Sequence, residues 1–354
     1  MNLAAVEQIA KAVLYEGYML YPYRPSSVKN KQRWNFGVLY PQSYSVFQQD
    51  TDPCLSQTQC LTRGSILPAI EVKVRFLQMI ARSIGRLKLP AAGLGAAGPQ
   101  AFDFVERMEV DGRVFQSWQE AEEREISIRL QYGDSITPML QQHEFAFPAE
   151  RQLEPIRNAA GLVVGVIVRD KEKLSVLVET NATRCHEDVF KIKVRILNRT
   201  PFESPETKSR DQALMCSLLS AHTVLGAVNC EFVSMLEPPD DLRELVAACQ
   251  NIGTWPVLVG ASGQRDTLLS SPIILYDYPQ IAPESAGDLF DGTEIDEILS
   301  LRIMTLTENE KREMRESDDR ARQILERTEA LPAEQFMKLH GVIRSVQPQK
   351  KEAS

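Results

Sequence analysis

Apolar and polar positions alternate along this chain with two periods, and each period predicts a different element. Near the start, Leu3, Val6, Ile9, Ala10, Val13 and Leu14 recur at three- and four-residue intervals. That spacing predicts an amphipathic helix over 3–17, which Pro22 and Pro25 would prevent from continuing. Val72, Val74 and Phe76 alternate with charged residues and predict a strand, as does the alternation over 124–130. The apolar runs 162–168, 174–178 and 189–197 predict three more strands, the first two joined across a charged turn at 169–173. Short strands linked by polar turns imply an antiparallel sheet or a β-sandwich.

Beyond Pro201 the pattern changes. Residues 210–219 and 240–250 carry helical spacing, and acids open the second segment. Residues 257–259 and 273–276 read as buried strands, with a hairpin turn over 260–266. Thr307 and Glu310 form a capping-box pattern ahead of a charged helix over about 308–328. The expected class is therefore α+β: a central antiparallel sheet or β-sandwich flanked by an N-terminal helix and a helical C-terminal region. The Gly-rich, uncharged stretch 91–100 reads as a linker. It separates an N-terminal region (1–90) from an antiparallel β region (101–200). A mixed α/β region (201–345) and a disordered tail (346–354) follow.

Composition adds limits. A chain of 354 residues with 43% apolar and 25% charged residues is ordinary globular material, and its longest apolar runs are too short to span a bilayer as a helix. Glu7 and a single lysine before Tyr15 do not make a signal peptide, so a cytoplasmic location is expected. Six cysteines are too few for a disulfide scaffold. Cys54 and Cys60, in what reads as a polar loop, have neither zinc-knuckle nor redox-pair spacing. The net charge of −8 is concentrated between Glu284 and Glu329, while 24–33 is locally basic. An acidic chain with one short basic patch argues against nucleic acid as a partner, because such binding needs many phosphate contacts.

The chemistry-bearing residues fall into three groups. Six of the nine tyrosines (Tyr15, Tyr18, Tyr21, Tyr23, Tyr40, Tyr44) crowd with Trp34, Phe36 and Phe47 around Arg24, Lys29, Lys31 and Arg33. Tyr21, Tyr23, Arg24, Lys29, Arg33 and Trp34 are the expected partner contacts, since Tyr, Trp and Arg dominate binding hot spots. The alternative is that these rings pack onto the protein's own core while the cations stay solvated. Asp277, Glu284, Asp288, Asp291 and Glu294 form an expected acidic surface; they lack the ligand pattern of a calcium loop, and no metal is expected there. Cys185, His186, Cys216, His222, Cys230 and Cys249 could ligate a soft metal if the fold gathered them, although Cys216 and Cys249 sit in apolar helical patterns. No phosphate loop, dinucleotide fingerprint or nucleophile elbow is present.

The blocks LYEGYMLYPYRPSSVKNKQRWNFGVLYP and GTWPVLVGASGQRDTLLSSPIILYDYPQIAPESAGDLFDGTEIDEIL together resemble an uncharacterised bacterial family often encoded beside [NiFe]-hydrogenase structural and accessory genes. The resemblance covers about 75 positions, assigns no catalytic residue, and implies an assembly or accessory factor. The expectation is a non-enzymatic accessory protein without a cofactor that binds a partner polypeptide, a hydrogenase subunit or maturation factor being the class implied. Two alternatives stand beside it. One is an enzyme whose pocket joins N-terminal Tyr and Arg to carboxylates of 277–297. The other is a metal-handling protein using Cys185, His186, Cys216 and Cys230.

Overall fold

Val72, Val74 and Phe76 belong to a strand of 23 residues, far longer than their alternation marks. It emerges from a computed structural model that describes residues 37–64, 69–91, 102–131 and 140–279, together with Val6, Ile9 and scattered positions between 308 and 330. In chain order the strands are β1 (Leu55–Arg63), β2 (Ala69–Ala91), β3 (Phe102–Val105), β4 (Arg107–Val110), β5 (Arg113–Gln116), β6 (Trp118–Gln131), β7 (Gln141–Phe147) and β8 (Glu150–Arg157). There follow β9 (Val163–Lys171), β10 (Leu174–Arg184), β11 (Val189–Asn198), β12 (Leu219–Val228), β13 (Glu231–Phe232), β14 (Trp255–Leu258) and β15 (Thr267–Ser271). The helices are α1 (Gln42–Phe47), α2 (Arg210–Met215) and α3 (Arg243–Ala247), each six residues or fewer.

One sheet runs β13-β1-β11-β10-β7, and the other runs β14-β15-β12-β2-β9-β8 with β3 and β6 also pairing to β2. All pairings are antiparallel. The first half of β2 turns Ile70, Val72, Val74 and Phe76 onto Val176 and Val178 of β10 and Ile192, Val194 and Ile196 of β11. This shared apolar layer is the main core, and burying each such side chain contributes about 1.5–3 kcal/mol. The second half of β2 runs on between β3 and β9, where Ile84, Ile156 and Ile167 pack under Met108 and Val110 of the β4–β5 hairpin.

The expected α+β class is overturned. The chain is mostly antiparallel sheet, with three short helices among the continuously described residues instead of flanking helices and a helical C-terminal region. The reason is local. Helical spacing over 210–219 yields only α2, which a Ser209–Gln212 capping box starts; β12 takes over at Leu219. Residues 240–250 give one 3-10 turn and the five residues of α3. Val6 and Ile9 are helical and pack against Val224, Val257, Val259 and Leu269, but the rest of the expected N-terminal helix lies outside the described residues.

The turn expected at 169–173 does not join neighbouring strands, because β9 and β10 lie in different sheets. β7–β8 and β9–β10 are the two arms of one long ribbon. Phe147 faces Leu174 and Glu150 faces Lys171, so the register is unbroken where the ribbon bends from sheet to sheet. Cys60, expected in a polar loop, sits fully buried within β1. Each sheet draws strands from 1–90, 101–200 and 201–345. The chain divides into two compact units, Met1–Gln280 and Ile281–Ser354. In the second unit, Glu308, Lys311, Arg312, Arg315, Arg322, Leu325, Glu326 and Glu329 are helical, while Thr307 and Glu310 lie outside the described residues.

Candidate interaction surface

β14 is an edge strand, and the chain closes its open side. Val259 gives its N–H to Thr267, so the main-chain groups of Leu258, one residue earlier, point the opposite way. After β15 the chain turns at Pro272, where Ser271 Oγ donates to the Ile273 carbonyl at 2.6 Å. It then runs back along β14. Ile273 and Leu275 pack inward against Val257 and Leu269, while Ile274 and Tyr276 point outward. The strap ends where Asp277 Oδ1 accepts the Leu258 N–H at 2.7 Å and the Tyr278 N–H donates to the Leu258 carbonyl at 2.7 Å. Asp277 Oδ2 also accepts from Ser234 Oγ at 2.5 Å, and Ser234 Oγ accepts the N–H groups of Leu236 and Glu237.

The strap, the chain after Ser234 and the start of β14 each carry exposed apolar side chains. Leu236 follows Ser234; Ile252 and Trp255 lead into the strand; Ile274 and Tyr276 lie on the strap. Trp255 is 44% exposed, Ile274 74% and Tyr276 85%. Ile274 and Tyr276 are alternate residues on the outward side of the strap, and contiguous exposed apolar surface marks interaction sites on soluble proteins. Residues 273–276, expected as a buried strand, form this unpaired strap instead, and the strand that pairs with β14 is β15 at Thr267–Ser271.

Of the expected acidic surface, Asp277 is described, and its carboxylate is engaged by Leu258 and Ser234. Glu284, Asp288, Asp291 and Glu294 lie outside the described residues, as do Tyr21, Tyr23, Arg24, Lys29, Arg33 and Trp34. Two tyrosines of that aromatic segment are described, and both are core. Tyr40 is 1% exposed and stacks on Tyr44 at 5.3 Å, with Phe202 edge-on to Tyr44 at 5.9 Å. Arg210 Nε donates to the Tyr40 hydroxyl at 3.0 Å, and its Nη2 donates to Asp52 at 3.4 Å. Burial pushes the Tyr40 phenol above its ordinary value, and the Arg210 hydrogen bond offsets this only in part. These bonds clamp α2 to the chain on both sides of α1.

The thiols are divided among the core layers, with Cys185 and Cys249 in the same one. Cys185 and Cys249 pack beside Leu61 and Val189, Cys216 beside the Tyr40–Tyr44 pair, and Cys230 beside the main core. Among the described residues, no three His, Cys, Asp or Glu side chains gather to hold a metal ion. Cations on the sheet face are paired: Arg169 with Glu120 and Glu154, Arg82 with Glu120, and Lys171 with Glu122 and Glu150. Among the described residues no helix is long and apolar enough to cross a membrane.

No protein-family model matches the chain, and no curated protein matches it. Among solved structures it is similar to the Salmonella SPI-1 type III secretion injectisome secretin InvG in its open gate state, at 10% identity over 68% of each chain with a TM-score of 0.12. That likeness carries no argument about fold or function.

Proposed function

We propose that this protein is a non-enzymatic accessory or assembly factor of the cytoplasm that docks a partner polypeptide on the rim beside β14. One observation carries the reading. Trp255 and Tyr276 stand exposed at a sheet edge whose main-chain groups at Leu258 are already satisfied. Their exposure is therefore a property of a finished surface. Aromatic anchors of this type supply most of the energy at protein interfaces.

The partner class implied by the resemblance is a hydrogenase subunit or maturation factor, and it remains part of the proposal. Contacts from Tyr21, Tyr23, Arg24, Lys29, Arg33 and Trp34 would extend the same engagement. Nucleic acid is not proposed, because the sheet-face cations Arg82, Arg169 and Lys171 are held by carboxylates. Photo-crosslinking from a benzophenone side chain at position 276, in the native host, tests the reading. The expected product is one discrete polypeptide adduct, absent when the probe sits at Glu109 on the β4–β5 hairpin. Equal labelling from both positions would remove the reading.

A further inference from the structure

The ribbon arm β7 ends the five-stranded sheet, and its outer side is open among the described residues. Its hydrogen-bonding direction follows from Ser175 on β10. Ser175 gives its N–H to Thr200 Oγ1 at 3.0 Å, and its carbonyl accepts the Arg199 N–H at 2.8 Å. Ser175 therefore faces β11, and the alternate residues Val176, Val178 and Thr180 face β7, where they meet Phe145, His143 and Gln141. On β7 the intervening Gln142, Glu144 and Ala146 must then turn N–H and C=O outward, and all three are exposed.

The margins at β14, β8 and β6 are defended. The strap closes β14 at Leu258. β8, which continues β7 through the bend, carries Pro155 with Glu150, Arg151, Glu154 and Arg157. β6 is charged along its length. Proline and charge blunt an edge against strand pairing. β7 has no proline and a single charge, Glu144.

The two faces of β7 specify an occupant. On the inner face, His143, Phe145 and Phe147 are half-buried, and Phe147 meets Phe76 edge-on at 5.5 Å. His143 Nε2 and Thr180 Oγ1, diagonal neighbours on that face, are buried with no hydrogen-bond partner. On the outer face, Gln142 is held by Glu179, and Glu144 has no ion-pair partner among the described residues. We propose that the outer edge of β7 is a strand-addition site for an extended partner segment in which apolar and basic residues alternate. Its apolar side chains would continue the Phe145–Phe147 row, and its cations would meet Glu144. The proposal rests on the reading that the protein binds a polypeptide, but it uses a surface separate from the β14 rim.

The test uses the full chain and a short synthetic peptide of alternating valine and lysine. Amide hydrogen exchange should show Gln142, Glu144 and Ala146 unprotected in the free protein and protected once the peptide binds. Ala146→Pro removes an outward N–H without touching the β10 ladder and should weaken binding about tenfold or more. Glu144→Lys should lose this peptide and bind one of alternating valine and glutamate. The Trp255→Ser/Tyr276→Ser double variant should bind the valine–lysine peptide as wild type does, which separates failure here from failure at the rim. Three results would overturn the proposal: protection of those amides in the free protein, from the chain itself or a second copy; peptide binding that leaves them unprotected, or no binding; or wild-type affinity in Ala146→Pro with an unchanged melting temperature.

Discussion

The side chain of Asp277 stands in for a neighbouring strand to Leu258, accepting at 2.7 Å an N–H that would otherwise face out of the sheet. Tyr278 completes the pair by donating to the Leu258 carbonyl. Two consecutive residues thus end the sheet at β14, and the strap leading to them displays Ile274 and Tyr276. Losing Asp277 would free an edge and release the support of the rim together.

Asp277→Ala should cost about 1–3 kcal/mol, because it leaves the Leu258 N–H and Ser234 hydroxyl without their acceptor. Urea denaturation measures the loss, and faster amide exchange at Leu258 localises it. Asp277→Asn, which keeps one acceptor oxygen, should lose less.

Lys171 is the most enclosed cation of the sheet face, with 8% of its side chain exposed between Glu122 at 2.8 Å and Glu150 at 2.6 Å. Both carboxylates are more than a third exposed. Lys171→Met should therefore destabilise by about 1–2 kcal/mol, short of the 3–5 kcal/mol typical of breaking a fully buried pair. Thermal melts at low and high salt should converge for the variant and differ for wild type.

Acid should weaken the fold through Glu125. Burial works against its charge, but hydrogen bonds from Lys73 and Arg75 outweigh that and hold the carboxyl below its ordinary 4.5. A folded value depressed below the unfolded one gives stability that is complete above the unfolded value and is lost as pH falls through the folded one. Stability measured from pH 6 downward should therefore decline below about 4.5 in wild type. The decline should be shallower in Glu125→Gln.

Thiol reactivity should follow burial. Desolvation pushes Cys60 far above its ordinary value and Cys216 up to about 11. Both should resist a thiolate-selective reagent in the folded protein and react once it is unfolded, read by mass spectrometry of alkylated peptides. Fast labelling of Cys60 in folded protein would contradict its place in β1.

Which elements the residues revealed depended on whether one side of each faced water. Val72, Val74 and Phe76 alternate with Lys73 and Arg75, so β2 was legible near its start. In β12 ten consecutive residues are buried or half-buried, which erases the alternation, so a helical reading reached into Leu219. β1 was hidden for the opposite reason, since its inner residues are polar. Thr58 donates to Ser270 Oγ at 2.7 Å, Gln57 donates to the Gln250 carbonyl at 2.8 Å, and Gln59 accepts from the Gln250 N–H at 2.9 Å. A buried polar seam of this kind looks like a loop in sequence. Asp277 counted toward an acidic surface because its partner, Leu258, offers only a main-chain group, which no side-chain pattern can show.

Co-purification from the native host, comparing wild type with Trp255→Ser/Tyr276→Ser at equal melting temperature, tests the docking account most directly. The account predicts that the polypeptide crosslinked from position 276 accompanies wild type in a fixed ratio and is lost from the variant. Recovery of that same polypeptide at the same ratio with both proteins would contradict it.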